Sequence, residues 1–263
     1  MKRWILTIAV VTVLAGCATT TSSTGRTQYV GGVSQQQLNQ LGAQAFVEAK
    51  TKGPLSNDAH QNAYVRCVVN ALVRQLPAQG QGVAWETALF ANKEPNAFAL
   101  PGGKVGVNTG IFSVAKTQDQ LAAVLAHEIG HVTERHHDER ITRQMGASGA
   151  VQLLGALAGD YGSLATQGGG LLAQTGFLLP GSRAQESEAD QVGQRLMADA
   201  GFDPAQAVNL WQNMIAAGGG RQPEWLSTHP DPQSRIQELR NRAGSLAPVY
   251  QQARAAGRIP KCG

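Results

Sequence analysis

The sequence predicts an α+β domain, mostly helical, around a small sheet. Three observations carry that expectation. Apolar residues recur at helical spacing between recognisable cap residues over most of the chain. Short strand-like runs lie between residues 84 and 108, two of them joined by Pro101-Gly102-Gly103. The chain of 263 residues is 42% hydrophobic, and the part that follows an apolar leader is long enough to bury a single core.

The leader is "MKRWILTIAVVTVLAGC". Lys2 and Arg3 precede an apolar run from Trp4 to Leu14, followed by small residues, which is the layout of a secretory signal. The run is too short to favour a spanning helix. Leu14-Ala15-Gly16-Cys17 looks like a bacterial lipobox, so residues 1–16 are expected to be a lipoprotein signal peptide and Cys17 the lipidated mature N-terminus. Ala18 is not the aspartate associated with inner-membrane retention in enteric bacteria, which leans toward the outer membrane. Residues 17–34, rich in Ser, Thr and Gly, read as a flexible tether. A single domain over 35–263 follows.

Within it, helices are expected at about 35–50 and 57–76, then strands near 84–90, 97–100 and 104–108. Asn96, Ala97, Phe98 and Ala99 open the second of these strands. An edge strand beside a cleft can take an extended peptide by main-chain pairing, so these residues are candidates for holding substrate.

The next helix, about 117–144 with Thr117 as its N-cap, contains "HEIGHVTERHH". His127 and His131 are four apart and share one face, one turn from each other. With Glu128 between them they complete H-E-x-x-H: two imidazole ligands for zinc and a carboxylate able to take a proton from water that the ion activates. A third ligand is needed. One class of zinc protease finds it in H-E-x-x-H-x-x-G-x-x-H, where His137 would be the last histidine. Here Glu134 replaces the glycine. If the helix runs on, His137 lies about 9 Å further along the axis than His131, beyond reach of one ion. His136 and His137 are therefore expected at a solvated or locally hydrogen-bonded helix end.

The better third ligand is in "GSRAQESEADQVGQRLMADAG". Ser182 can cap a helix ending at Gly201, and Glu186 and Asp190 share a face of it. A carboxylate that ligates and a second one able to accept a ligating histidine's N–H is an arrangement zinc sites commonly use. Between the two helices, Gly146 to Gly181 holds ten glycines in 36 residues, which weakens helices and suggests a mobile lid or membrane-facing flap. It has no phosphate-loop motif. Further helices are expected at 204–217, 232–243 and 246–256.

H-E-I-G-H followed 55 positions later by E-S-E-A-D resembles the membrane-associated zinc metallopeptidases, the family that includes the prenyl-protein (CAAX) protease, HtpX, BepA and LoiP. "NAFALPGGKVGVNTGIF" and "STHPDPQSRI" resemble the family's segments before the active-site helix and after the second one, and the layout is closest to the LoiP-like lipoprotein peptidases. The resemblance implies a zincin-type (gluzincin) fold with one Zn2+ per chain held by His127, His131 and Glu186, Glu128 as general base and Asp190 orienting a ligating histidine. It also implies catalytic parts for His229, as oxyanion stabiliser or as a removable ligand, and for Arg235 beside it.

The function expected is thus a lipid-anchored zinc metalloendopeptidase that cleaves extended or misfolded envelope proteins on the periplasmic face of the outer membrane, as protein quality control. The alternative is a chaperone or assembly factor for outer-membrane proteins with restrained proteolysis, working with their assembly machinery. With Cys17 lipidated, Cys67 and Cys262 remain and can pair in an oxidising compartment. A net charge of +4 comes from scattered Lys and Arg, and no basic run interleaves with aromatics, so nucleic acid is not an expected partner.

Overall fold

A computed structural model describes residues 18–148, 177, 181–217, 224–229 and 232–263. The signal segment, Cys17 and most of the Gly-rich stretch lie outside the described residues. Among the described residues no helix is long and apolar enough to cross a membrane.

The chain opens with an antiparallel hairpin, β1 (Ala18–Thr21) and β2 (Thr27–Val30), in register from Ala18↔Val30 to Thr21↔Thr27. This corrects the expectation of a flexible tether over 17–34. The stretch has no apolar periodicity to announce it, because its hydroxyls and Arg26 find their partners only across the folded domain. Two helices follow, α1 (Gln35–Lys52), entered through a Ser34–Gln37 capping box, and α2 (Ala59–Val73), capped by Asp58, then a short α3 (Ala78–Gln81).

The sheet is β3 (Glu86–Phe90), β4 (Ala97–Leu100) and β5 (Lys104–Asn108), in the order β3-β5-β4. β3 runs parallel to β5 and β4 antiparallel to it, so β4 is an edge. The β4–β5 turn needs positive φ at both Gly102 (79°) and Gly103 (73°), which glycine adopts without a Cβ clash.

The centre of the molecule is α4 (Gln118–Thr133), capped by Thr117 and buried continuously from Gln120 to His131. It packs on α6 (Arg183–Ala200), which Ser182 caps and Gly201 (φ 83°) terminates. Two glycines set how closely these helices approach. A Cβ on Gly193 would stand 2.9 Å from the His127 amide nitrogen, and one on Gly130 3.1 Å from the Ala189 carbonyl. The small residues let the two backbones touch, and that brings the α6 carboxylates to the α4 histidines.

Around this pair lie α7 (Gln206–Ala217), the short α8 (Glu224–Thr228) and α9 (Pro232–Ala255). The core gathers α2, β3, β5, α4, α6 and α7 around Leu72, Leu121, Leu125, Ile129, Phe202 and Trp225. A smaller cluster packs α1, through Leu41 and Phe46, against Phe90, Leu100, Ile141 and Phe177.

Two helix boundaries differ from expectation. The helix expected over 117–144 is broken: α4 stops at Thr133, Arg135 takes a left-handed φ of 56°, and α5 (His136–Ser148) starts in a new direction. A non-glycine there costs free energy, and contacts on the preceding residue hold it: Gln28 Nε2 donates to the Glu134 carbonyl at 2.5 Å, and Ser23 donates to the Glu134 carboxylate from its amide and hydroxyl at 3.0 and 2.8 Å. Conversely, 232–243 and 246–256 run together as α9. Pro248 lacks an N–H to donate, but packing of Leu239, Leu246 and Ala253 carries the helix through. Cys67 on α2 and Cys262 in the tail form a disulfide, with Cα atoms 5.5 Å apart.

Candidate active site

His127 and His131 project from the same face of α4, their Nε2 atoms 3.1 Å apart. Glu186, from the first turn of α6, brings Oε2 to 3.4 Å from His127 Nε2 and Oε1 to 3.5 Å from His131 Nε2. Ligand atoms about 2.05 Å from one ion in a tetrahedron stand about 3.3 Å from each other, so this triangle has the size a zinc ion requires. His229, just beyond α8, adds a fourth buried ligand, and one atom from each of the four residues lies within 4.8 Å of the others.

The donor chemistry fits a cation as well. Glu186 Oε1 is buried with no hydrogen-bond partner. Burial opposes charge on Glu186, yet His229, His127 and Arg235 hold its carboxyl down at about 2. Burial likewise opposes a proton on His127, but Asp190 and Glu186 outweigh it and raise the imidazole to about 9. His131 is pushed well below the usual histidine range by burial and by positive neighbours, His127 first. The pocket thus favours one positive charge between two imidazoles and a carboxylate.

Each histidine is held from behind. His127 Nδ1 lies 3.0 Å from Asp190 Oδ1, the orienting contact the sequence leads one to expect. Arg235 grips Asp190 with two nitrogens, Nε to Oδ2 at 2.7 Å and Nη2 to Oδ1 at 2.8 Å, and donates from Nη1 to Glu186 Oε2 at 2.9 Å. Its guanidinium stacks 4.2 Å over the Trp211 ring. Arg235 was expected to act beside His229. All three of its guanidinium nitrogens are bound to Asp190 and Glu186, and with 3% exposure it holds these two carboxylates of α6 in place.

His131 is held by residues that sequence reasoning missed. Its Nδ1 lies 2.7 Å from His136 Nδ1, and His136 Nε2 lies 2.8 Å from Glu188 Oε2. Glu188 is held in turn by the Ser22 and Thr24 hydroxyls and by Arg26 Nε at 2.7 Å. Arg26 also forks onto Glu139 at 3.0 and 2.8 Å. Burial works against charge on Glu188, but His136 and the hairpin donors lower its carboxyl to about 2. The solvated helix end expected for His136 and His137 is therefore wrong, since they are 0% and 4% exposed. The expectation rested on a continuous helix, and the break at Arg135 turns His136 back. His137 stays out of the four-residue cluster and packs edge-on against Phe177.

On the open side, Glu128 Oε1 accepts from Trp225 Nε1 at 3.2 Å and lies 3.3 Å from His229 Nε2. Burial opposes its charge, but His229, His127 and the indole keep the carboxyl below the ordinary range. His229 Nδ1 faces the Trp225 carbonyl and the Thr228 hydroxyl, both at 2.9 Å. Trp225 carries no sequence motif, and only the fold brings it to Glu128. The cavity in front of these groups is lined by Glu128, His131, Glu186 and His229 together with Asn96, Ala97, Phe98 and Ala99. The strand expected to hold substrate therefore lines the same cavity as the histidines.

Residues 59–243 match peptidase family M48. The chain is 41% identical over 175 residues to the mitochondrial metalloendopeptidase OMA1 of Schizosaccharomyces pombe, covering 65% of this chain and 51% of that protein. It is 32% identical over 241 residues to the beta-barrel assembly-enhancing protease of Escherichia coli K12, covering 88% and 48%. The chain thus spans about half the length of the curated relatives it matches. With the match covering most of the chain and the His127, His131, Glu186 and His229 cluster able to hold the family's zinc ion, this chain belongs to peptidase family M48.

Proposed function

We propose that the chain is a zinc metalloendopeptidase in which His127, His131 and Glu186 hold one zinc ion and Glu128 is the general base. The observation that carries this is the placement of the Glu128 carboxylate beside the cluster, in a cavity also lined by the edge strand β4. When bound, zinc lowers the pKa of water toward about 7 and polarises a carbonyl. The rest is supplied by the chain. Asn96 to Ala99 pair with an extended peptide through main-chain groups, which reads little side-chain information and suits unfolded segments. Glu128, ionised at neutral pH, takes a proton from the attacking water and returns it to the leaving amine, worth roughly 10²–10⁴-fold. Trp225 Nε1 and His229 Nε2 aim that carboxylate.

Cys17 is the lipid anchor in this reading, and the working place is the periplasmic face of the outer membrane. Similarity to a relative named for β-barrel assembly supports envelope proteins as clients and protein quality control as the role. A second reading has a specific observation behind it. His229 stands within the ligand cluster itself, so it serves either as an oxyanion stabiliser or as a removable fourth ligand that restrains proteolysis, leaving a chaperone or assembly role.

The test is Glu128→Gln in the soluble domain. It should keep one zinc per chain by metal analysis and lose casein cleavage by about 10²–10⁴-fold. Undiminished cleavage would remove Glu128 as the base. Loss of cleavage with the cellular role intact would favour the chaperone reading.

A further inference from the structure

Two arginines lie near the His127, His131 and Glu186 cluster, one behind it and one lining the cavity in front, and they are treated oppositely. Arg235 spends its guanidinium on Asp190 and Glu186. Arg140, on α5, lines the cavity beside Glu128, His131, Glu186 and Ala97, and makes no hydrogen bond or ion pair among the described residues; its Nε is sealed from water without a partner. An arginine has five donors, and leaving them unused in a partly buried place costs free energy unless a ligand supplies the acceptor.

Its carboxylate neighbours are committed elsewhere. Glu139 receives Arg26, Arg143 and Gln185. Glu186 receives Arg235 at Oε2 and keeps its unpartnered Oε1 within the candidate metal cluster, 3.5 Å from His131 Nε2, and Glu128 receives Trp225. Burial depresses the Arg140 guanidinium, while Glu186, Glu128 and Glu139 favour its charge from beyond hydrogen-bond reach. The charges of the site balance without it: with zinc bound, the carboxylates of Glu128, Glu186 and Asp190 offset the ion and Arg235. Arg140 is the positive charge left over, and it faces the space between the cluster and the edge strand.

The geometry points to Arg140 as a specificity residue that binds a carboxylate of the substrate close to the scissile bond, either an Asp or Glu side chain or the free C-terminal carboxylate. This rests on the cleft being the peptide site proposed above, and it adds a preference that backbone pairing to β4 cannot supply. Arginine suits the part because its planar fork can meet both carboxylate oxygens at once.

The experiment uses the wild-type zinc enzyme and a set of otherwise identical peptides in which Asp replaces Asn at each of the three positions on either side of the cleaved bond, with the C-terminus free or amidated. One position should show KM about 10- to 100-fold lower for the carboxylate than for its neutral counterpart, with kcat little changed. A gain at an internal Asp identifies a side-chain subsite, and a gain confined to the free terminus identifies terminal recognition. In Arg140→Gln the ratio should collapse toward one, and in Arg140→Glu a Lys peptide should become the better substrate at that position, with zinc content checked by metal analysis in both.

Equal KM values for all wild-type pairs would overturn the proposal while leaving the peptidase reading standing. So would a fall in kcat common to charged and neutral peptides in Arg140→Gln, the mark of oxyanion stabilisation. Failure of the wild-type enzyme to cleave any peptide would overturn both.

Discussion

The two histidines that face one another on α4 are supported in different ways. Behind His127 the support is short: Asp190 and Arg235, 4% and 3% exposed, lie between packed helices. Behind His131 it is long, passing through His136 and Glu188 to Arg26, whose side chain is 20% exposed and belongs to a hairpin that starts one residue after Cys17. One support is made by the core and forms when the core forms. The other is completed only when the N-terminal hairpin docks on Glu134, Glu139 and Glu188. The contrast shows how one candidate metal site can be tied both to the stability of the domain core and to the docking of its N-terminal hairpin.

The largest effect that would expose the contrast is on the short side. Arg235→Leu leaves Asp190 and Glu186 buried without their cation, which should cost about 3–5 kcal/mol in chemical denaturation and strip zinc on dialysis. An unchanged denaturation midpoint would mean that the core side does not depend on this pair.

A control separates stability from the site. Replacing Cys67 and Cys262 by Ser removes a link between residues 195 apart, at a cost of about 2–5 kcal/mol, yet zinc affinity should hold because neither support runs through α2. A parallel loss of zinc affinity would show that the site depends on the α2 link after all.

On the long side, Glu188→Gln should weaken zinc binding about 10- to 100-fold in chelator competition, with a stability loss well below that of Arg235→Leu. Loss of stability equal to that of Arg235→Leu would put Glu188 in the same class as Asp190.

The smallest effect is pH dependence. The folded Glu188 carboxyl lies at about 2, below its ordinary 4.5, because His136 and the hairpin donors outweigh burial. The folded state therefore binds fewer protons than the unfolded one in between. Its contribution is present above about 4.5 and is lost as pH falls toward about 2. Glu186 adds a similar slope in both proteins, so the measurement is the difference: thermal unfolding of Glu188→Gln should fall less steeply with acid than that of the parent over this window.

The residues legible in the sequence share a property. His127 with His131, and Glu186 with Asp190, are paired by the repeat of a single helix, and Thr117, Ser182 and Gly201 mark helix ends through bonds to the adjoining turn. The Pro101-Gly102-Gly103 turn is equally local. Residues that were missed or misjudged depend on partners far away in the chain. Arg26 and Glu139 are 113 residues apart, His136 and Glu188 52, and Trp225 and Glu128 97. Glu188 read as an ordinary acidic position because nothing near it in the chain names a histidine as its partner. Arg235 was identifiable as part of the site by resemblance, but its task followed only from seeing which carboxylates it meets.

By itself the sequence determined a mostly helical domain, the pairing of His127 with His131 on one helix face, and the helix that carries Glu186 and Asp190, because helical periodicity and capping act over one or two turns. Only the tertiary structure decided that α4 breaks at Arg135, that the Ser/Thr-rich hairpin docks behind His131, and that Arg235 is bound while Arg140 has no hydrogen-bond or ion-pair partner among the described residues. A left-handed residue and an unpaired cation have energies set by what surrounds them, and the surroundings come from segments that meet only when the chain is folded.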